Sequence, residues 1–274
     1  MAIATDASVE TAFAPDRLSG TSRVHVIDRW IYVFTAASLL AIVLAGFVPD
    51  SLTKIAAVQA GERPPFPLIL HVHATLMGSF ILLLLGQTVL MATGRRNWHM
   101  RLGIAAVVLV PAIVISGIIL VPTMYHAVWN AAQAAPAAAK QPLQLRLQGM
   151  DDILLLQLRA ALLFPLFMWI ALRARTRDAG LHKRMVFLAV TTVLAAAIDR
   201  LVWLPNTMPN SALAPDLYTL LAFTPMLIWD LIRNRGLHRA YLIWAAFFLP
   251  LDALIYTVWN TPFWHAAARQ LMGV

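Results

Sequence analysis

The chain has 274 residues, 60% of them hydrophobic and 12% charged, with a formal net charge of +8 and no cysteine. So low a charged fraction, against roughly 25% in a soluble domain, excludes an ordinary soluble fold, and the missing cysteine excludes disulfides, thiolate metal sites and cysteine nucleophiles. The positive charge does not point to nucleic acid, because the basic residues sit in short segments between apolar runs, where they orient a membrane protein.

In chain order, residues 1–24 are polar and partly acidic and lack a continuous apolar stretch, which predicts a mobile tail rather than a signal peptide. Residues 25–265 read as an all-α integral membrane domain of seven transmembrane helices, at 28–48, 66–93, 101–122, 152–173, 183–204, 215–232 and 239–260. Each run approaches the roughly 20 apolar residues that a bilayer core requires. The second span opens on "PPFPLILHVHATLMGSF", with His71 and His73 in its first turns. Two residues apart on a helix is about 200°, so one imidazole is expected to face inward. His73 is the choice, because Gln87 lies nearly four whole turns further along the same face. Residues 123–151, with Tyr125, His126 and Trp129, read as one long outer connection holding an Ala-rich amphipathic piece. Residues 266–274 read as a C-terminal tail.

Counting Lys and Arg by loop gives an orientation. The loops after spans two, four and six hold eleven: Arg95, Arg96, Arg101, Arg173, Arg175, Arg177, Lys183, Arg184, Arg233, Arg235 and Arg239. The opposite loops and the C-terminal segment hold five: Lys54, Arg63, Lys140, Arg146 and Arg269. The positive-inside rule then puts the N-terminus in the cytoplasm and the C-terminus outside. The basic loops "GRRNWHMRLG", "RTRDAGLHKRM" and "IRNRGLHRAY" each end near a histidine, His99, His182 or His238. This suggests three helical hairpins behind a leading helix, and a possible second site at the inner face.

Gln157 and Arg159 in span four, Asp199 and Arg200 in span five, and Asp252, Tyr256 and Asn260 in span seven are polar groups within apolar runs. All are expected in the outer half of the membrane, converging with His73. Ionisable groups in hydrocarbon cost several kcal/mol, so they face one another or a wet cavity. A salt-bridged knot that fixes packing and a ligand pocket are both compatible with that rule. The favoured reading is a pocket holding a metal ion (zinc-like, given carboxylates) or haem. His73 would be a ligand, with His71, His126, Asp199 and Asp252 as candidate partners, and redox or hydrolytic chemistry would follow. Arg159, Arg200, Gln157, Gln87 and Tyr256 are candidate ligand-binding groups. One alternative is a sensor or transporter in which Arg159 and Arg200 hold a small anion; another is a non-catalytic accessory subunit of a larger membrane complex. No retinal Schiff base is expected, because the only lysines, Lys54, Lys140 and Lys183, lie outside the last span. No catalytic residue is assigned, and the expected partners are the lipid bilayer, a small molecule or metal, and other membrane subunits.

The stretches "HVHATLMGSFILLLLGQTVLMATGRRNWHMRLG" and "LHKRMVFLAVTTVLAAAIDRLVWLP" resemble a group of uncharacterised bacterial multi-pass membrane proteins. The matching positions are His73, Gln87, His99, Arg101, His182, Lys183, Arg184 and Asp199, within roughly residues 66–205. The resemblance implies a multi-pass protein of the bacterial inner membrane and no known activity. A looser likeness to transmembrane b-type cytochromes lacks their paired histidine spacing.

Overall fold

The computed structural model describes Leu18 and residues 25–274; the expected N-terminal tail lies, Leu18 aside, outside the described residues. Nine helices are formed among the described residues: α1 (Val26–Gln59), α2 (Leu68–Ala92), α3 (Arg96–Leu102), α4 (Ile104–Ala134), α5 (Ala137–Ala174), α6 (Ala179–Ile198), α7 (Leu213–Asn234), α8 (Arg239–Val258) and α9 (Pro262–Met272). No strand occurs among them. That is the expected outcome for long apolar runs, because a helix satisfies every backbone group within its own segment. Helix ends are marked by local chemistry. Gly61 and Gly94 adopt positive φ just after α1 and α2, and Pro136 stands immediately before α5. The Asp178 carboxylate caps α6 by accepting from the Leu181 amide, and the His238 ring caps α8 by accepting from the Ala240 amide.

Six helical stretches are long and apolar enough to cross a membrane: α1, α2, α3 with α4, α5, α6 and α8. The remaining expected span, α7, is 22 residues long but carries Asp216, Asp230 and Arg233. The protein is therefore an all-α, multi-pass membrane protein. α6 is the central helix, packing on α1, α5, α7 and α8. α1 reaches it closely because residue 46 is glycine: a Cβ there would lie 2.2 Å from the Ala197 carbonyl oxygen. The hydroxyls of Thr191 and Thr192 on α6 donate to carbonyls three residues back (Leu188 and Ala189), and Thr191 also accepts from the Trp244 indole of α8 at 2.8 Å.

Three expectations about layout are corrected. Residues 123–151 are not a connection; α4 runs on to Ala134, α5 begins at Ala137, and only Ala135 and Pro136 join them. Alanine is the best helix former, and α4 continues through Pro111 and Pro122 without ending. At 1.5 Å per residue the 38 residues of α5 reach roughly 57 Å, well beyond a hydrocarbon core of about 30 Å. The overhang is held by Tyr125, Val128 and Ala132 packing on Leu147. Residues 266–274 are likewise no tail, since Thr261 caps α9 and Pro262 occupies its first turn. Finally, the third hairpin is open: α7 packs on α6 and α1, whereas α8 packs on α6 and α5. Ion pairs, described next, tie the two arms into the bundle.

Candidate functional site

Two buried clusters dominate the polar interior. In the first, Arg159 of α5 meets two carboxylates. Its Nη2 donates to Asp216 Oδ1 at 2.7 Å and its Nη1 donates to Asp216 Oδ2 at 3.1 Å. The same Nη1 donates to Asp252 of α8. Tyr256, one turn beyond Asp252, donates its hydroxyl to Asp216 Oδ2 at 3.0 Å. The guanidinium lies 4.5 Å above the Phe248 ring, and its buried Nε has no hydrogen-bond partner. The side chains of Arg159 and Asp216 are 1% and 5% exposed, while that of Asp252 is 12% exposed. Asp216 thus accepts three hydrogen bonds and Asp252 accepts one. Two carboxylates around one guanidinium also leave the group one positive charge short.

The second cluster lies at the arginine-rich end of the bundle, where α5 passes to α6 and α7 to α8. Arg184 of α6 grips Asp230 of α7 bidentately, Nε and Nη2 each 2.5 Å from a carboxylate oxygen. Its Nη1 donates to the Gly180 carbonyl at 2.9 Å, and Asn234 donates to Asp230 at 2.5 Å. Their side chains are 0% and 1% exposed. Among the described residues, one charge of each sign meets here, and both oxygens of the carboxylate are hydrogen-bonded. Beside it Arg233 and the Trp229 indole hold Asp28 of α1. At the start of α6, burial opposes ionisation of Asp178. The Leu181 amide and Arg239 outweigh it and hold this carboxyl below the usual range.

At the opposite end, Asp151 of α5 is a third hub. It accepts from the Tyr125 hydroxyl at 2.6 Å and lies 3.1 Å from His265 Nδ1, and its carbonyl accepts from the Trp264 indole at 2.6 Å. Asp152 accepts from the Asn260 amide. These contacts clip α9 onto α4 and α5.

The expected site residues are dispersed among different jobs. His73 is half-buried on α2, its Nδ1 2.9 Å from Ser116 Oγ on α4. With the Ser116 hydrogen assigned to the Ile113 carbonyl, His73 Nδ1 is the donor to Ser116 and the lone pair of the neutral ring sits on Nε2. Gly117 gives the ring room, since a Cβ there would lie 3.4 Å from His73 Cε1. His71 is exposed, edge-on to Phe66, and His126 is edge-on to Tyr125. Asp199 and Arg200 fall just past the end of α6 instead of inside a span. Asp199 accepts from Asn206, while Arg200 donates to Asp50 of α1 and lies over Phe47. Gln157 is exposed, lining a cleft of about 250 Å³ with Pro122, Leu154 and Leu158. Asn260 stands at positive φ in the turn before α9. Of the expected convergence, only Arg159, Asp252 and Tyr256 come together.

The metal expectation gains no support here: among the described residues, no three His, Asp or Glu side chains gather to hold an ion. The inner histidine trio is divided in the same way. Gln87, with its amide oriented to satisfy its neighbours, donates to the His99 carbonyl and ring and accepts from the Gly103 amide at 3.0 Å. His182 Nδ1 donates to the Ala171 carbonyl at 2.8 Å, and His238 caps α8.

Sequence reasoning missed Asp216, Asp230, Asp28, Asp151 and His265, and it counted Arg184 as a loop cation. A helical spacing signal was present for Arg184 and Gly180, which lie four residues apart. For Asp216 and Asp230 the signal was simply a carboxylate within an apolar run. The expectation that in-span charge is confined to one half fails, because Arg184 and Asp230 are buried at the arginine-rich end. No protein-family model matches the chain, and neither a curated protein nor a solved structure does.

Proposed function

We propose that the chain is a seven-span membrane protein whose Arg159–Asp216–Asp252–Tyr256 cluster takes up and releases a proton, coupled to the movement or sensing of a small molecule. α7 is counted as a span because its charges are paired within the bundle, which lowers the cost that unpaired charges would carry in lipid. The arginine-rich end is assigned to the cytoplasm by the positive-inside rule. The observation that carries the reading is the charge imbalance: two carboxylates share one guanidinium in a site almost closed to water. A net negative charge in low dielectric is costly, and a proton removes it. Hydrogen bonds favour the ionised form of the acid that receives most of them. Asp216 receives three hydrogen bonds and Asp252 one, which makes Asp252 the acid left to take the proton. Arg159, already held by two carboxylates, is poorly placed to grip an external anion, so the cluster suits a cation or proton better than the anionic ligand first considered. Membership of the multi-pass group resembled in sequence is part of this proposal and brings no activity with it.

The test is reconstitution in proteoliposomes enclosing a pH-sensitive dye, challenged with a panel of small solutes across a pH gradient. Solute-dependent proton entry in the wild type that disappears in Asp252→Asn supports the proposal. Proton entry that is equal in the variant, or no solute-dependent entry with any member of a broad panel, counts against it.

A second reading has one observation in its favour. The His73–Ser116–Ile113 relay leaves His73 Nε2 as a lone-pair donor, the arrangement of an imidazole whose other nitrogen is fixed by a hydrogen bond. His73 would then be a ligand to haem or a metal, supplying redox or Lewis-acid chemistry. An absorption spectrum with elemental analysis of wild type and His73→Ala decides it: a Soret band or bound metal lost in the variant favours the reading, and identical spectra oppose it.

A further inference from the structure

At the arginine-rich end, the basic residues divide into two groups. On the α7–α8 side Arg233 is held on Asp28 and Arg239 on Asp178, which leaves Arg235 alone exposed among the basic residues of that turn. On the other side, Arg95, Arg96 and Arg101 around α3, Arg173 in the last turn of α5, and Arg175 and Arg177 just after it, are all exposed. None of these six has an ion-pair partner among the described residues.

The two turns lie at the same end of neighbouring helices, because α3 packs on the start of α4 and α4 packs along α5. Asp178, the carboxylate of the α5–α6 turn, is itself taken up by Arg239 and the Leu181 amide. The basic patch also has an apolar border. Trp98 and Trp169 are 62% and 57% exposed, and each indole carries a guanidinium, Arg101 at 5.7 Å and Arg173 at 5.3 Å. Indoles prefer the headgroup level of a bilayer, and long basic side chains keep their stems along apolar surface while their charges stay in water. Met100, Leu102 and Ile104 continue the apolar border.

We infer that the α2–α3 and α5–α6 turns together bind the headgroup of an anionic phospholipid. The occupant follows from the combination of guanidiniums lacking an ion-pair partner among the described residues with exposed indoles beside them. A free anion needs only the charges, and a neutral lipid only the indoles. Arginine forks match phosphate oxygens, and basic pockets beside transmembrane helices are a recognised site for anionic headgroups. The inference is independent of the Arg159 cluster. It also predicts a lopsided protein, with lipid ordered beside α3 and not beside the α7–α8 turn.

The experiment is native mass spectrometry of the protein released from bilayers of mixed phosphatidylglycerol and phosphatidylcholine. Wild type is compared with Arg95→Gln/Arg96→Gln/Arg101→Gln and with a control, Lys140→Gln/Arg146→Gln/Arg235→Gln. The expected result is retained phosphatidylglycerol in the wild type and control and a several-fold loss in the first variant. Equal retention of the two lipids by the wild type would overturn the inference, as would undiminished phosphatidylglycerol in the first variant or an equal loss in the control. Displacement of the lipid by inorganic phosphate at matched ionic strength would make free phosphate the ligand and overturn it too. A photoreactive phosphatidylglycerol on wild-type protein covers the case in which the first variant does not fold. Its crosslinks are expected in peptides containing Trp98 or Trp169, and crosslinks confined to the α7–α8 turn would contradict the site.

Discussion

Arg184–Asp230 and Arg159–Asp216–Asp252 use the same chemistry in the same bundle and differ in stoichiometry. The first has, among the described residues, one charge of each sign, bidentate geometry and essentially no exposure. The second has an extra carboxylate, one under-bonded acid and slight access to water at Asp252. A balanced buried pair has no reason to exchange a proton, because every acceptor is filled and the charge is neutral. An unbalanced one does. Burial alone therefore does not mark a functional group; the count of charges and donors around it does.

Removing charges one at a time is the strongest way to break this comparison. Arg184→Met leaves Asp230 buried and unpaired, an error that costs about 3–5 kcal/mol. The expected outcome is a large loss of thermal stability or of folded yield in detergent. The double variant Arg184→Met/Asp230→Leu should recover most of that loss, since an apolar pair replaces a closed ion pair at little cost. Failure of the double variant to recover would mean that the pair does more than hold helices together.

The carboxylate comparison sharpens the point. Asp230→Asn should destabilise by a similar few kcal/mol, while Asp252→Asn should change stability by less than about 1 kcal/mol, because Arg159 keeps Asp216 and the net charge falls to zero. Thermal unfolding of the two variants side by side is the check. Equal losses would remove the distinction between the clusters.

The frame that sets both clusters in place can be tested separately. Gly46→Ala inserts a methyl group 2.2 Å from the Ala197 carbonyl, and overpacking of this kind typically costs about 1–3 kcal/mol. The α1–α6 crossing should loosen, as read by a lower melting temperature.

The smallest expected effect is at Asp178. Its carboxyl is held below the usual range by the Leu181 amide and Arg239 against the opposing effect of burial. A depressed acid contributes stability above its unfolded value and loses it as pH falls through its folded value. Acid should therefore weaken the start of α6. Asp178→Asn keeps the cap and should flatten that part of the pH profile, whereas Asp178→Ala should cost about 1 kcal/mol at neutral pH. A pH profile unchanged in Asp178→Asn would assign the acid loss elsewhere.

How far these features could be read from sequence depends on their range. The apolar runs set the helical, membrane-embedded character, because that property is local. Arg159, Asp252 and Tyr256 were recognisable as misplaced polar groups on adjacent turns. Their third-helix partner Asp216 was not, since pairing across α5, α7 and α8 is a matter of tertiary packing. The same limit explains Arg184, which by sequence sits in a basic turn and in the structure is wholly enclosed. His73 and Asp199 looked convergent by depth alone, yet depth says nothing about azimuth, and they face different neighbours. The overhang of α4 and α5 was misread because an alanine-rich segment is compatible with either a surface connection or a continued helix.

The most direct measurement is pH-difference infrared spectroscopy of the purified protein, following the carbonyl stretch of protonated carboxylic acids. The wild type is predicted to show a buried carboxyl band that appears and disappears with pH. That band should be absent in Asp252→Asn and unchanged in Asp230→Asn. A band that persists in Asp252→Asn, or the lack of any titrating buried carboxyl in the wild type, would contradict proton exchange at the unbalanced cluster.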